Sequence, residues 1–180
     1  LSRCTQAIPR RRASAVPGSS PASRLGLDDM MARYASYETF AEIIRHRFDA
    51  PKETLKELFS RIVFNILCGN TDDHARNHAA FWDGNALRLT PAYDICPQSR
   101  AGNEATQAML ISGNNRLSHL KSCLDAAHHF LLSEIEAQMI CDKQRKTIEA
   151  YWKEVCDEAN LNTIARKLLW KRQFLSPCVF

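Results

Sequence analysis

Apolar residues recur along this chain with helical spacing, broken in the middle by a short stretch of strand-like alternation. Over 36–48, Tyr37, Phe40, Ala41, Ile44 and Phe48 share one face at intervals of three and four. A shorter helix is expected just upstream, over 27–34. Pro51 suits a first helical position. From there Leu55, Leu58, Phe59, Ile62, Val63, Ile66 and Leu67 make a wide apolar stripe, which Gly69 closes. This helix, over 52–68, is the strongest in the chain and is expected at the centre of the core. A polar burst follows over 70–77. Two strand-like runs, 78–82 and 86–90, flank Asp83-Gly84-Asn85 and predict a hairpin. Residues 105–112 read as another short strand, closed by Gly113-Asn114-Asn115. Beyond it the pattern is helical. Ser133 and Glu136 fit a capping box. Ile135, Met139, Ile148, Trp152 and Val155 are expected on the apolar face of a helix reaching about residue 158, and 162–171 make a last helix. Trp82, Trp152 and Trp170 are expected in the core or at its edge. The fold class is mostly α, with one or two small β-hairpins.

Composition adds a boundary. The chain has 180 residues, 45% hydrophobic and 24% charged, which fits one globular domain. No apolar run is long enough to span a membrane. Five arginines lie in 1–25 with no acid; the remainder holds 19 of the 24 basic residues against all 20 acidic ones. The net charge of +4 therefore belongs to the first segment, and 26–180 has no basic patch of the nucleic-acid type. Residues 1–25, rich in Pro, Ser and Arg, cannot bury enough apolar surface to offset ordering, and read as a disordered basic tail. The body is 26–180. Seven scattered cysteines without a C-x-x-C pair read as reduced thiols in a cytoplasmic protein.

The chemistry concentrates between Asp72 and Asp94. Asn70, Asp72, Asp73, Asn77 and Asp94 gather around one loop and one hairpin. Asn77 precedes the first strand and Asp94 follows the second. An antiparallel hairpin brings its open ends together, with strands ~5 Å apart. Asn77 and Asp94 can therefore converge on one ion. A hard cation such as Mg²⁺ takes oxygen ligands, including one or two carboxylates and phosphate oxygens. A third carboxylate nearby, Asp72, can accept a hydroxyl proton. Asp72 to Asn77 has the D-x-x-x-x-N spacing of a kinase catalytic loop, and Asp94 stands where a second Mg²⁺-binding Asp is needed.

Residues 58–97, LFSRIVFNILCGNTDDHARNHAAFWDGNALRLTPAYDICP, resemble the C-terminal region of HipA-like serine/threonine kinases, the toxins of bacterial toxin–antitoxin pairs. The resemblance runs from about Gly26 to the C-terminus and is most specific in GNTDDHARNH and LTPAYD. It implies a protein-kinase-like C-terminal lobe, with Asp72 as the catalytic Asp, His74 orienting the loop, and Asn77 and Asp94 holding Mg²⁺. Asp73 has no assigned role. The resemblance also implies transfer of the ATP γ-phosphate to a protein serine, in some members on an aminoacyl-tRNA synthetase. The implied partner is a helix-turn-helix antitoxin. No G-x-G-x-x-G loop precedes Asp72, and the first lysine is Lys52, so the small nucleotide-binding lobe of a kinase has no counterpart before the site. The change near residue 25 reads as a truncated, split or frame-disrupted product. Such a chain is expected to bind Mg-ATP weakly, to be inactive alone, and to expose an apolar face to a complementing N-terminal lobe.

Two other readings stay open from the residues. One is a non-enzymatic remnant that still engages an antitoxin. The other is a zinc hydrolase, because His74 and His78 are four residues apart and would share a face if that stretch were helical.

Overall fold

The longest apolar stripe in the sequence becomes the spine of the fold. A computed structural model describes residues 20–24, 36–98, 102 and 104–180. The helix expected over 27–34 lies outside them. Helix α1 (Tyr37–Arg47) starts at Ser36, whose hydroxyl accepts the Thr39 N–H. Tyr37, Phe40, Ala41, Ile44 and Phe48 are buried, as their spacing predicts. Helix α2 (Pro51–Cys68) has Pro51 at its first turn and buries all seven residues of its stripe. Helix α3 (Leu120–Asp125) and the 3₁₀ turn Ala127–Phe130 pack on α2, with Phe130 edge-on to Phe59 at 5.4 Å between centroids. Helix α4 (Glu134–Glu158) packs against α2 and carries the full capping box of Ser133 and Glu136. Helix α5 (Thr163–Leu169) follows, capped by Asn162. Trp152 and Trp170 are half-buried and lie 4.9 Å apart, while Trp82 is 36% exposed.

Three short strands make the sheet, in the order β1 (Ser20–Arg24), β2 (Ala79–Trp82), β3 (Leu87–Leu89), all antiparallel. The predicted hairpin is β2–β3, with Ala80 opposite Leu89 and Trp82 opposite Leu87. Asp83 builds its turn by accepting the Asn85 and Ala86 N–H groups on Oδ1. Strand β1 falls in the segment that composition marks as an unstructured tail. Main-chain pairing with β2 does not depend on side-chain hydrophobicity, so composition is blind to it. Residues 1–19 lie outside the described residues.

Two expectations change. The stretch 105–112 is not a strand. Its backbone bonds singly to several partners: Ala108 N donates to Thr71 O (3.0 Å), Gln107 N to Arg116 O (2.7 Å) and Ile111 N to Asn115 O (2.7 Å), while Leu110 O accepts from Tyr37 N (2.9 Å). Met109 and Ile111 are nevertheless buried, which explains the strand-like pattern. On α4, Ile135, Met139 and Val155 are exposed, while Ala137, Cys141 and Cys156 are buried. The face that packs on the core holds Ala137 and Cys141, with the partly buried Ile140 and Ile148 beside them. Burial pushes the Cys141 thiol up to about 11 and the Cys68 thiol up to about 12, so both act as small apolar groups. Cys68, Cys96, Cys123, Cys141, Cys156 and Cys178 are free. Among the described residues, no helix is long and apolar enough to cross a membrane.

Candidate functional site

The site begins where α2 stops. Gly69 takes a left-handed conformation (φ 74°) and caps the helix. A Cβ here would meet Gln173 O at 2.8 Å, so glycine is required twice over. The same corner is tied by Leu175 N to Leu67 O (2.7 Å) and by Gln98 N to Gly69 O (2.9 Å). The chain then runs through 70–74 without regular structure and makes the 3₁₀ turn Ala75–Asn77 before β2.

The hairpin does what its topology predicts. Asn77 at its start and Asp94 beyond its end meet, with Asn77 Nδ2 donating to Asp94 Oδ2 at 3.3 Å across seventeen residues of sequence. Asn77 is buried and Asp94 is exposed. Tyr93 fastens the returning segment to the loop by donating its hydroxyl to Arg76 O (2.7 Å). Asp94 itself has φ 56°, the left-handed region that Asp and Asn tolerate better than most residues. Such backbone is found disproportionately at functional sites.

Asp72 is exposed, and Asn70 Oδ1 accepts its backbone N–H at 3.3 Å. No hydrogen bond joins its carboxylate to Asn77 or Asp94 among the described residues. His74 is half-buried, and its Nδ1 is buried with no hydrogen-bond partner among the described residues. A buried ring nitrogen left open in this way is the kind of group that water or a ligand satisfies.

Asp73 is the residue that the sequence pattern misses. It is 4% exposed and its Oδ2 is the centre of a network. Tyr37 donates its hydroxyl to it at 2.5 Å, Asn65 donates Nδ2 at 2.8 Å, and His78 Nε2 lies 3.1 Å away. Asn65 also accepts Asn70 Nδ2 on Oδ1 at 3.1 Å. Phe40 and Tyr37 meet the His78 ring edge-on. Burial pushes the Asp73 carboxyl up, but the His78 hydrogen bond and electrostatic pull and the Tyr37 hydroxyl outweigh it and hold the group below the usual carboxylate range. The same burial and the Asp73 charge push the Tyr37 hydroxyl well above the usual phenol range. A signal for this network existed: Asn65 interrupts an otherwise apolar face of α2, and a buried amide needs partners.

The donor set can be judged against the groups considered. Asn77 and Asp94 offer amide and carboxylate oxygens, which suit a hard cation such as Mg²⁺ with phosphate and water completing the shell. A half-turn of the Asn77 amide presents Oδ1 beside Asp94 in place of Nδ2. The zinc arrangement is not formed. Residues 75–77 make a 3₁₀ turn, so His74 and His78 do not share an α-helical face. His78 is buried against Asp73 and Phe40, with its Nδ1 also buried. Among the described residues, no cluster of three or more His, Cys, Asp or Glu is disposed to hold a metal.

Comparison with known proteins bears on the family and the fold. A family model, the HipA-like C-terminal domain, matches residues 10–161. The match begins upstream of Gly26, within the segment that composition sets apart. A protein of Haemophilus influenzae named "Putative kinase" is 33% identical over 73 residues, 40% of this chain and 21% of that protein. "Putative kinase Y4dM" of Sinorhizobium fredii is 29% identical over 97 residues, 53% of this chain and 24% of that protein. The chain thus aligns with less than a quarter of the length of either relative. Among solved structures, HipA of Shewanella oneidensis, determined in complex with HipB and operator DNA, superposes with a TM-score of 0.61. That match has 17% identity and covers 80% of this chain and 37% of HipA, so the two share a kinase-like fold. With a family match over most of its length, the chain belongs to the HipA-like C-terminal domain family.

Proposed function

We propose that this chain carries the catalytic lobe of an ATP-dependent serine/threonine protein kinase that acts as the toxin of a toxin–antitoxin pair. The observation that supports it most is the contact of Asn77 with Asp94, formed between residues seventeen apart by the hairpin between them. Asn77 and Asp94 hold Mg²⁺, whose chemistry is to neutralise charge on the ATP phosphates. Asp72, exposed at the mouth of the loop, accepts the proton of the attacking serine hydroxyl. His74 orients the loop between them. Phosphoryl transfer is chiefly positioning and electrostatics, so a rigid loop with a few oxygen donors suffices on this side of the nucleotide.

The other side needs a phosphate-covering loop and a strand lysine. No G-x-G-x-x-G and no lysine stand before Lys52 in the sequence, which supports the reading that the 180-residue chain by itself binds Mg-ATP weakly and transfers phosphate only with a complementing nucleotide-binding lobe. The partner is a helix-turn-helix antitoxin, and the substrate is a protein serine, an aminoacyl-tRNA synthetase being one candidate.

The test is transfer of labelled γ-phosphate to a serine substrate, with a HipA-family nucleotide-binding lobe supplied as a second chain. Transfer should require the added lobe and should fall about 10²–10⁴-fold in Asp72→Asn, the loss expected for a general base. No transfer with the lobe present, or transfer indifferent to Asp72, overturns the enzymatic reading and leaves an antitoxin-binding module.

A further inference from the structure

We propose that Asp73 is a positioning residue: its buried carboxylate, held at once by Tyr37 of α1, Asn65 of α2 and His78 just before β2, sets the loop that aims Asp72 outward and brings Asn77 to Asp94. This rests on the reading of Asn77 and Asp94 as the metal-binding pair and goes beyond it, because Asp73 itself touches neither substrate nor metal.

Three elements converge on one oxygen, Oδ2, at 2.5, 2.8 and 3.1 Å. The chain of bonds then continues through Asn65 to Asn70 and from Asn70 Oδ1 to the Asp72 backbone N–H. The loop is therefore pinned on both sides of Asp72. Asp73 and Asp72 are adjacent but oppositely placed, one buried and one exposed. Drawing Asp73 inward turns Asp72 out. His78, the third partner, directly follows Asn77, so the bond between Asp73 and His78 closes a ring of backbone over 73–78 and fixes where Asn77 stands. A carboxylate serves here better than an amide of the same size, because one ionised oxygen accepts from several donors without presenting a donor of its own.

A plain core contact and a positioning role make different predictions. The readout is the Asn77 side-chain amide signal in a ¹H–¹⁵N NMR spectrum of the full chain, together with Mn²⁺ titration as a probe of the metal pair. Asp73→Ala should move the Asn77 amide signal to the position of an exposed amide and weaken Mn²⁺ binding at least tenfold. The backbone amide signals of α2 and α4 should stay in place. Asp73→Asn keeps one acceptor oxygen but adds a donor, and should recover only part of both effects. An Asp73→Ala protein that is folded, keeps its Asn77 signal and binds Mn²⁺ within twofold of wild type overturns the proposal. Should Asp73→Ala fail to fold, Tyr37→Phe decides it by the same readouts, since it removes one donor and keeps the ring: a shifted Asn77 signal supports the proposal and an unmoved one overturns it. Lack of Mn²⁺ broadening at Asn77 and Asp94 in wild type refutes the metal reading separately, and the Asn77 signal still decides whether Asp73 sets the loop.

Discussion

Asp72 and Asp73 carry the same side chain and make different demands on the protein. Asp72 is exposed, so its replacement should leave stability within about 0.5 kcal/mol of wild type, as surface changes do. Asp72→Asn is therefore expected to lose phosphate transfer with an unchanged thermal midpoint, measured by circular dichroism on the same sample. Asp73, besides setting the loop, contributes to stability. Its carboxyl titrates below the usual range in the folded chain, against about 3.9 when unfolded. The unfolded chain thus takes up the proton first. The stabilisation is fully present above the unfolded value and is lost as pH falls through the folded one. Thermal midpoints between pH 2 and 7 should fall on the acid side for wild type and be flatter there for Asp73→Asn. Equal acid limbs would show that Asp73 does not carry this linkage. The meeting of Asn77 and Asp94 could be read from the hairpin between them. Asp73 could not, because its partners come from Tyr37, thirty-six residues away, and from an amide inside a helix that reads as apolar.

At the scale of elements, the corner at Gly69 sets where the chain leaves α2 and enters the site loop. Its left-handed backbone costs a residue with a Cβ about 1–2 kcal/mol, and the added carbon also meets Gln173 O at 2.8 Å. Gly69→Ala is expected to lower the thermal midpoint well beyond the few degrees that one kilocalorie per mole brings at this size. Ser133→Ala, which removes one cap of α4, should cost only about 1 kcal/mol. A Gly69→Ala midpoint equal to that of Ser133→Ala would mean that the corner relaxes freely. Helix limits and the hairpin were legible because their signals are local: Ser36, Pro51, Gly69, Ser133 and the Asp83 turn all act within four residues. The inward face of α4 was legible only in part, through Ile148. Ala137, Cys141 and Cys156 are chosen by the approach of neighbouring elements, and no local periodicity reports that distance. Residues 105–112 misled for the same reason, since their pattern records burial while their backbone pairs with scattered partners.

For the whole molecule, α2 is both the floor of the core and the support of the site. Leu58 and Phe59 are fully buried, and Asn65 on the same helix holds Asp73. Phe59→Ala removes the ring that Phe130 meets edge-on and should cost about 3–5 kcal/mol, enough to unfold a domain of ordinary stability at modest denaturant. Urea unfolding followed by tryptophan fluorescence checks this, and a loss under 1 kcal/mol would mean that α2 is not the spine.

The most direct test of the metal half-site is calorimetric titration of Mg-ATP into wild type and Asp94→Asn, with and without Mg²⁺. Asparagine is nearly isosteric and tolerates the left-handed backbone at this position, so the variant removes charge and little else. Weak, saturable, Mg²⁺-dependent binding in wild type, lowered at least tenfold in Asp94→Asn, is the predicted result. Binding of equal strength in the two proteins, or binding in wild type that ignores Mg²⁺, would contradict it.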